Sequence, residues 1–168
     1  MPVKMPSTTS YSKRQLDLEV LQSLQEPVTS YTEVVPSATA LVPKIVAGPQ
    51  KLVQRYAVLF TTITDSDIVH PGEGTELYGI FDTGNVGGAG MIRLYAEAAN
   101  SMARRMIKAD DENEATFGKQ PADEKLDDSW IRDVVVDRST RSISIYVSIR
   151  SAAGSVVTFV VPTSAGVY

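Results

Sequence analysis

The chain of 168 residues contains no cysteine and only one histidine, His70. The lack of cysteine excludes disulfides, thiol nucleophiles and thiolate metal ligands. A lone histidine does not build a typical zinc site, because carboxylates would have to supply all the remaining ligands. We therefore expect neither a bound metal nor a cofactor.

Long hydrophobic runs are also missing. No stretch of about 18 apolar residues is present to cross a bilayer, and the N-terminal residues lack the apolar run of a signal peptide. Lys and Arg, 16 together, are outnumbered by 20 Asp and Glu, which gives a net charge of −4. Because nucleic-acid binding depends on clustered basic residues, we expect a cytoplasmic protein, soluble until it meets its partners, that contacts neither membrane nor nucleic acid.

The composition suits one domain with an appendage, since 43% of the residues are hydrophobic and domains commonly run to about 100–150 residues. Residues 1–43 are predicted to form an extended N-terminal arm, and residues 44–168 the domain. The arm is rich in Ser and Thr, and its prolines remove backbone donors and disfavour helix. These prolines stand at positions 2, 6, 27, 36 and 43.

One short helix is predicted inside the arm, in "SKRQLDLEVLQSL". Ser12 could cap its N-terminus. Such a helix could pack on its own domain or dock onto another subunit. Its apolar stripe would consist of Leu16, Val20, Leu21 and Leu24.

The domain is predicted to begin with a helix over about 49–63. Gly48 and Pro49 mark its start, with proline in the first turn. Apolar residues then recur at helical spacing, which indicates a face turned to the core. These residues are Leu52, Val53, Tyr56, Leu59, Phe60 and Ile63.

A second, longer helix is predicted in "MIRLYAEAANSMARRMIK", after the glycine-rich "GNVGGAG". Its apolar stripe recurs at intervals of three and four residues, so we expect it to face the core. The stripe consists of Met91, Leu94, Tyr95, Ala98, Met102 and Met106. The other face carries positive charge that either meets solvent or an acidic subunit, at Arg93, Arg104, Arg105 and Lys108.

Residues 109–129 are acidic and poor in large apolar residues, so they are predicted to be an exposed loop or insertion.

Three strands are predicted after this segment. "RSISIYVSIR" alternates strictly, with Ser142, Ser144, Tyr146 and Ser148 opposite its apolar residues. "RDVVVD" before it and "SVVTFVVP" after it are β-branched runs joined by short loops. The sequence therefore predicts an α+β fold, with two main helices packed on a C-terminal three-stranded antiparallel meander.

No motif for catalysis is complete. "GNVGGAG" lacks the lysine of a phosphate loop, and "DDENEA" lacks the calcium ligands and glycine of an EF-hand. No Gly-x-Ser-x-Gly elbow is present. Paired carboxylates are the residual option for an enzyme, and their spacing singles out no pair. We therefore expect a protein without enzymatic activity.

The order of motifs resembles the baseplate wedge proteins of contractile-tailed bacteriophages. "VAGPQKLVQRYAVLFTT" precedes "HPGEGTEL", a long helix follows, and "DSWIRDVVVD" leads into two more strands. This family, sometimes labelled lysozyme-like, includes a baseplate component of type VI secretion systems, and the resemblance covers residues 44–162. Its Pro-x-x-Gly-Ser/Thr-x-Leu turn matches Pro71, Gly74, Thr75 and Leu77.

The family's Glu-Pro-Arg signature should fall near Asp128, Ser129 and Trp130, where only an acid is retained and Arg132 lies close. The resemblance implies a structural virion subunit, assembled in the host cytoplasm and present in several copies in the tail baseplate. Its partners would be other wedge proteins and the tail sheath, which would add strands to the meander. Candidate interaction residues are Asp128, Trp130, Arg132, Ile143, Ile145, Val147, Ile149, Val157, Phe159 and Val161.

Two alternatives stay open at this point. A cell-wall hydrolase could use paired carboxylates such as Glu73 and Glu76. Another virion joint, such as a tail or head-completion protein, could be built on the same small scaffold.

Overall fold

The computed structural model describes residues 17–18, 21–25, 32–36, 45–66, 72–78, 88–113, 120–137, 139 and 142–164. These residues form seven strands and two helices. The helices are α1 (Pro49–Thr61) and α2 (Ala89–Glu112). The strands are β1 (Asp17–Leu18), β2 (Leu21–Gln25), β3 (Thr32–Pro36), β4 (Ile45–Val46), β5 (Leu126–Asp137), β6 (Ser142–Ser151) and β7 (Val156–Ser164).

Both predicted helices are confirmed. Helix α1 starts where Gly48 adopts a φ of 67°, which suits glycine, and Pro49 occupies the first turn. It ends two residues earlier than predicted, and Thr62 N–H donates to the Val58 carbonyl at 2.9 Å. Helix α2 is longer than predicted at both ends and reaches Glu112. Neither helix in the described part of the chain combines the length and apolar character that a membrane span requires.

The predicted meander is also confirmed, which makes the fold α+β. Strands β5, β6 and β7 pair antiparallel in sequence order. Ile145, for example, pairs with Val134 on one side and Val161 on the other. The helices pack on one face of this sheet, with α2 against β5 and α1 against β6 and β7.

The sheet is larger than the meander, because two strands from the arm extend it to the order β2-β3-β7-β6-β5. Strand β3 runs parallel to β7, with Thr32 opposite Phe159 and Glu33 opposite Val160. Strand β2 pairs antiparallel with β3, and β1 pairs with β4. The arm therefore occupies part of the β7 edge of the meander, at Phe159 and Val160.

The prediction of a short helix in the arm is wrong. Leu21 and Leu24 lie in strand β2, and residues 17–18 form β1, while Ser12, Leu16 and Val20 lie outside the described residues. An isolated helix of this length is marginal in water. Strand β3 offers backbone partners to β2 and itself pairs with β7, so the backbone pairing available in the fold outweighs a weak local preference.

The core lies between the helices and the sheet. Tyr56 is at its centre, with its ring centroid 5.9 Å from those of both Phe60 and Phe159. The four apolar residues of the "RSISIYVSIR" alternation are buried there, as predicted. Helix α2 contributes mostly small residues to this core, namely Ile92, Ala96, Ala99, Ala103 and Ile107.

The predicted core face of α2 is therefore wrong for most of its residues, although Tyr95 packs against the core. Met91 and Leu94 are 46% and 65% exposed, and Ala98 is exposed as well. Both stripes are apolar at helical spacing, but the aromatic rings of α1 and β7 already fill the space beneath α2. The alanine-rich face allows a close approach there, so Met91 and Leu94 point outward.

The prediction of an exposed acidic loop over 109–129 is also wrong at both ends. Residues 109–112 complete α2 and residues 126–129 begin β5. Asp111 and Glu124 are buried, because each carboxylate is neutralised by a cation from α1 and accepts a backbone N–H. Residues 114–119 lie outside the described part of the chain.

Candidate interaction site

Hydrogen bonds hold the turn that matches the family pattern against the end of α1. Thr75 N–H donates to the Thr62 carbonyl at 2.7 Å, and Thr64 N–H donates to the Thr75 carbonyl at 3.3 Å. The Thr75 hydroxyl donates to the Phe60 carbonyl at 2.7 Å. Thr75 and Leu77 are fully buried. Pro71 lies outside the described residues.

Gly74 is the residue that allows the turn to approach the end of α1 so closely. Its φ is 113°, a conformation that side chains disfavour, and a Cβ there would lie 2.7 Å from the Thr62 carbonyl oxygen. Close approach of two backbone segments therefore explains the glycine. Thr75, the next residue, satisfies the carbonyls of Phe60 and Thr62 at the end of α1, where carbonyls lack partners within the helix.

The start of β5 is tied to the helices by two buried carboxylates. Glu124 Oε1 accepts the Gly48 N–H at 2.9 Å, and its other oxygen lies 3.3 Å from Lys51 Nζ. Asp111 Oδ1 lies 2.8 Å from Arg55 Nη1, and its Oδ2 accepts the Leu126 N–H at 2.9 Å. The contacts of Glu124 and Asp111 fix the position of β5. Sequence reasoning missed them because it assigned both acids to a solvated loop.

A buried polar cluster follows at the middle of β5. The Tyr56 hydroxyl donates to Asn100 Oδ1 and lies 3.3 Å from Ser129 Oγ. Asn100 Nδ2 in turn donates to the Ser129 carbonyl at 3.3 Å. All three residues are buried. A lone asparagine on the alanine-rich face of α2 was the sequence signal for this cluster.

Burial raises the pKa of Tyr56 above its ordinary value of 10, because desolvation disfavours the phenolate; hydrogen bonding to Ser129 and the Arg104 charge offset only part of this. The unfolded chain therefore loses this proton first. We expect the ionisation of Tyr56 to leave the free energy of unfolding unchanged below about pH 10 and to lower it as the pH rises above 10. Tyr56→Phe should remove this part of the alkaline dependence and lower the free energy of unfolding by about 1–2 kcal/mol at neutral pH. Urea unfolding at neutral pH and above pH 10 measures both effects.

Asp128, predicted as an interaction residue, lies in a partly exposed ion-pair cluster. Its Oδ1 lies 2.9 Å from Arg104 Nη1 and accepts the Ser129 N–H at 2.9 Å. Its Oδ2 lies 3.9 Å from Arg150 Nη2, and Arg150 also pairs with Asp127. Desolvation raises the pKa of Asp128, but the Ser129 N–H and the two arginines together outweigh it and lower the pKa below its usual value.

Trp130 and Arg132 follow Asp128 on β5, and both are exposed. Trp130, at 37% exposed, lies opposite Ser148, on the side of the sheet turned away from Ser129 and the helices. The structure thus places an exposed tryptophan beside an arginine-aspartate cluster, a combination common at protein interfaces.

The predicted interaction residues on β6 and β7 lie elsewhere. Their side chains are buried in the core, with Val157 partly buried, so they cannot contact a partner: Ile143, Ile145, Val147, Ile149, Phe159 and Val161. The backbone of β6 is not free either, because β6 lies between β5 and β7, and β3 pairs with β7 at Phe159 and Val160. The alternation that singled them out is the signature of a core face.

Among the described strands, β5 is a sheet edge that pairs with β6 alone. Its pairing has two register shifts, between Leu126 and Asp128 and between Ile131 and Asp133. From Asp133 to Asp137 the register is regular. The Val134 N–H donates to Asp133 Oδ1 at 2.8 Å, as expected for an edge group that has no strand partner.

The described residues contain no group of three or more histidine, cysteine or acidic residues that could hold a metal ion. Glu73 and Glu76, the carboxylates of the hydrolase alternative, are exposed in the turn. In comparisons with known proteins, no family model, curated protein or solved structure matches the chain.

Proposed function

We propose that this protein is a structural, non-enzymatic subunit of the baseplate wedge of a contractile phage tail, located in the virion. Its meander would offer the β5 edge to the first ring of tail-sheath subunits, and its arm and helices would contact neighbouring wedge proteins. The observation that carries this proposal is the long β5 edge beside Trp130. The tight turn at Gly74 supports the resemblance on which the assignment to a wedge rests.

Backbone pairing at β5 would supply most of the contact. The regular segment Asp133–Asp137 has extended backbone whose outward N–H and C=O groups can pair with an incoming strand. The register shifts earlier in β5 disturb pairing there, so we place the added strand at this segment. An incoming carbonyl would replace the Asp133 carboxylate at the Val134 N–H.

Side chains beside the edge would give the contact its specificity. Trp130 supplies apolar area, and the Asp128 cluster supplies negative charge from β5 and positive charge from Arg104 of α2 and Arg150 of β6. Because these groups are partly exposed, a partner strand can cover them without disturbing the core. Strand addition itself demands little of the sequence, which agrees with the absence of a complete catalytic motif.

Val134→Pro is the variant that tests this proposal. Proline removes the Val134 N–H, and an edge strand tolerates it where that group faces outward. In phages that carry the variant, we expect baseplates that contain the protein but at least tenfold fewer sheathed tails, counted by electron microscopy. Val134→Thr keeps the N–H and the β-branched shape, and should leave sheath assembly normal.

Circular dichroism and thermal unfolding of the purified variants establish that both remain folded. Normal sheath assembly with a folded Val134→Pro protein would rule out strand addition at this position.

A further inference from the structure

The regular segment of β5, residues 133–137, presents an apolar face and an acidic face to any strand that pairs with it. Val134 lies opposite Ile145. Since opposite residues point to the same face of a sheet, Val134 shares the inner face with that buried isoleucine. Side chains alternate along a strand, so two residues of the segment face inward and three face outward. The inner-face residues are Val134 and Val136, and the outer-face residues are Asp133, Val135 and Asp137.

The inner-face valines keep some apolar surface exposed on the side where β5 has no neighbour. Both are partly buried and pack against the core. Their partners Ile143 and Ile145 on β6, which lies between two strands, are only 2% and 0% exposed. An added strand would cover the remaining surface of the valines if its own inward side chains were apolar. The inner face therefore favours apolar residues at two alternate positions of the partner.

The outer-face aspartates are exposed. Residues 133–137 include no basic residue, and Arg132 precedes them at the register shift. The Asp133 carboxylate accepts the Val134 N–H at 2.8 Å, and this N–H is the group to which an added strand would bind. Strand addition therefore takes a hydrogen bond away from this carboxylate and leaves the partner to supply a new one.

We infer that the strand that pairs with this segment carries basic residues opposite Asp133 and Asp137 and apolar residues opposite Val134 and Val136. The inference rests on the proposed strand addition at β5 and names the chemistry of the partner. Opposite charges directly across a strand pair stabilise it. The pattern of basic, apolar, any, apolar and basic residues is the same in both chain directions, so it applies to a parallel and to an antiparallel partner.

The same charges disfavour a second copy of this chain as the partner. In the antiparallel register that pairs all five residues, Asp133 of each copy lies opposite Asp137 of the other. Like charges directly opposite destabilise a strand pair, and charged side chains on an edge strand hinder edge-to-edge association. Repulsion thus rejects the self-paired edge, while attraction favours a basic strand, and both contribute to specificity.

Two peptides of opposite charge test this chemistry. The basic peptide is acetyl-TKVTVKT-amide, and the acidic peptide is acetyl-TEVTVET-amide. Each is titrated into the full chain at low salt, and the backbone amide signals of residues 133–137 are followed by NMR. We expect the basic peptide to bind at least about tenfold more tightly than the acidic one. This preference should become smaller at high ionic strength, because the charged residues are exposed.

Variants of the same two aspartates provide the controls. Asp133→Asn combined with Asp137→Asn keeps the size of the side chains and should abolish the preference. Asp133→Lys combined with Asp137→Lys should reverse it. Circular dichroism of the variants checks that they remain folded.

The outcomes separate this inference from the strand addition on which it rests. Equal binding of the two peptides at residues 133–137, or a preference that the lysine variant leaves unchanged, would overturn the inference and leave strand addition intact. Val134→Pro should weaken the binding of both peptides. Failure of both peptides to bind to the wild-type chain, or binding that survives Val134→Pro, would overturn strand addition at this segment and the inference with it.

Discussion

Replacing Gly74 by alanine should destabilise the domain by about 3 kcal/mol. Two effects add. The φ of 113° is unfavourable for any residue with a Cβ, and that Cβ would lie 2.7 Å from the Thr62 carbonyl oxygen and 2.9 Å from the backbone of Ile63. These are backbone atoms, so the clash is relieved only by separating the turn from α1 and losing the Thr75 hydrogen bonds.

Gly72→Ala is the matched control for this effect. Gly72 also has a positive φ, 92°, but a Cβ there has no atom within 4 Å. It should therefore cost only the conformational strain, about 1 kcal/mol. Urea unfolding followed by the fluorescence of the single tryptophan, Trp130, measures both variants. Equal costs for the two would mean that the close approach at Gly74 does not stabilise the fold.

Asp111→Ala should destabilise the domain by a similar amount, about 3 kcal/mol. The carboxylate is 7% exposed and joins three elements, because it binds Arg55 of α1 and the Leu126 N–H at the start of β5 while belonging to α2. Its removal leaves the Leu126 N–H and part of the Arg55 charge without their partner in a site that water reaches poorly. Both penalties are desolvation penalties.

The neighbouring Asp110 provides the control. Its carboxylate contacts the same Arg55 at 3.4 Å but is 36% exposed, so solvent screens the pair and Asp110→Ala should cost less than about 1 kcal/mol. Urea unfolding at neutral pH compares the two. If Asp111→Ala and Asp110→Ala lowered the free energy of unfolding by the same small amount, the contacts of Asp111 would not fix the position of β5.

The elements of the domain could be predicted from the sequence because their periodicities are strong. The strict alternation of residues 142–149 predicted a strand with one buried face, and the spacing in 49–63 and 91–108 predicted two helices. Periodicity does not say which of two apolar faces of α2 packs inward. That depends on the space left beneath it by Tyr56, Phe60 and Phe159, which only the assembled core determines.

The errors in the arm and in the acidic segment have a common cause. Leu21 and Leu24 have the spacing of one helix face, but they pair with β3, which in turn pairs with β7, a strand distant in sequence. Asp111 and Glu124 look solvated until their cations on α1 are known. The candidate site was predictable only in part, since the sequence located Asp128 and Trp130 but could not distinguish core strands from the edge strand.

Cryo-electron microscopy of particles that contain this protein decides whether it has the proposed wedge role. We expect the chain at the junction of baseplate and sheath of a contractile tail, with a strand of a sheath subunit paired to β5 along residues 133–137. A map that places the chain elsewhere, or that shows this edge exposed to solvent in an assembled tail, would contradict the proposal.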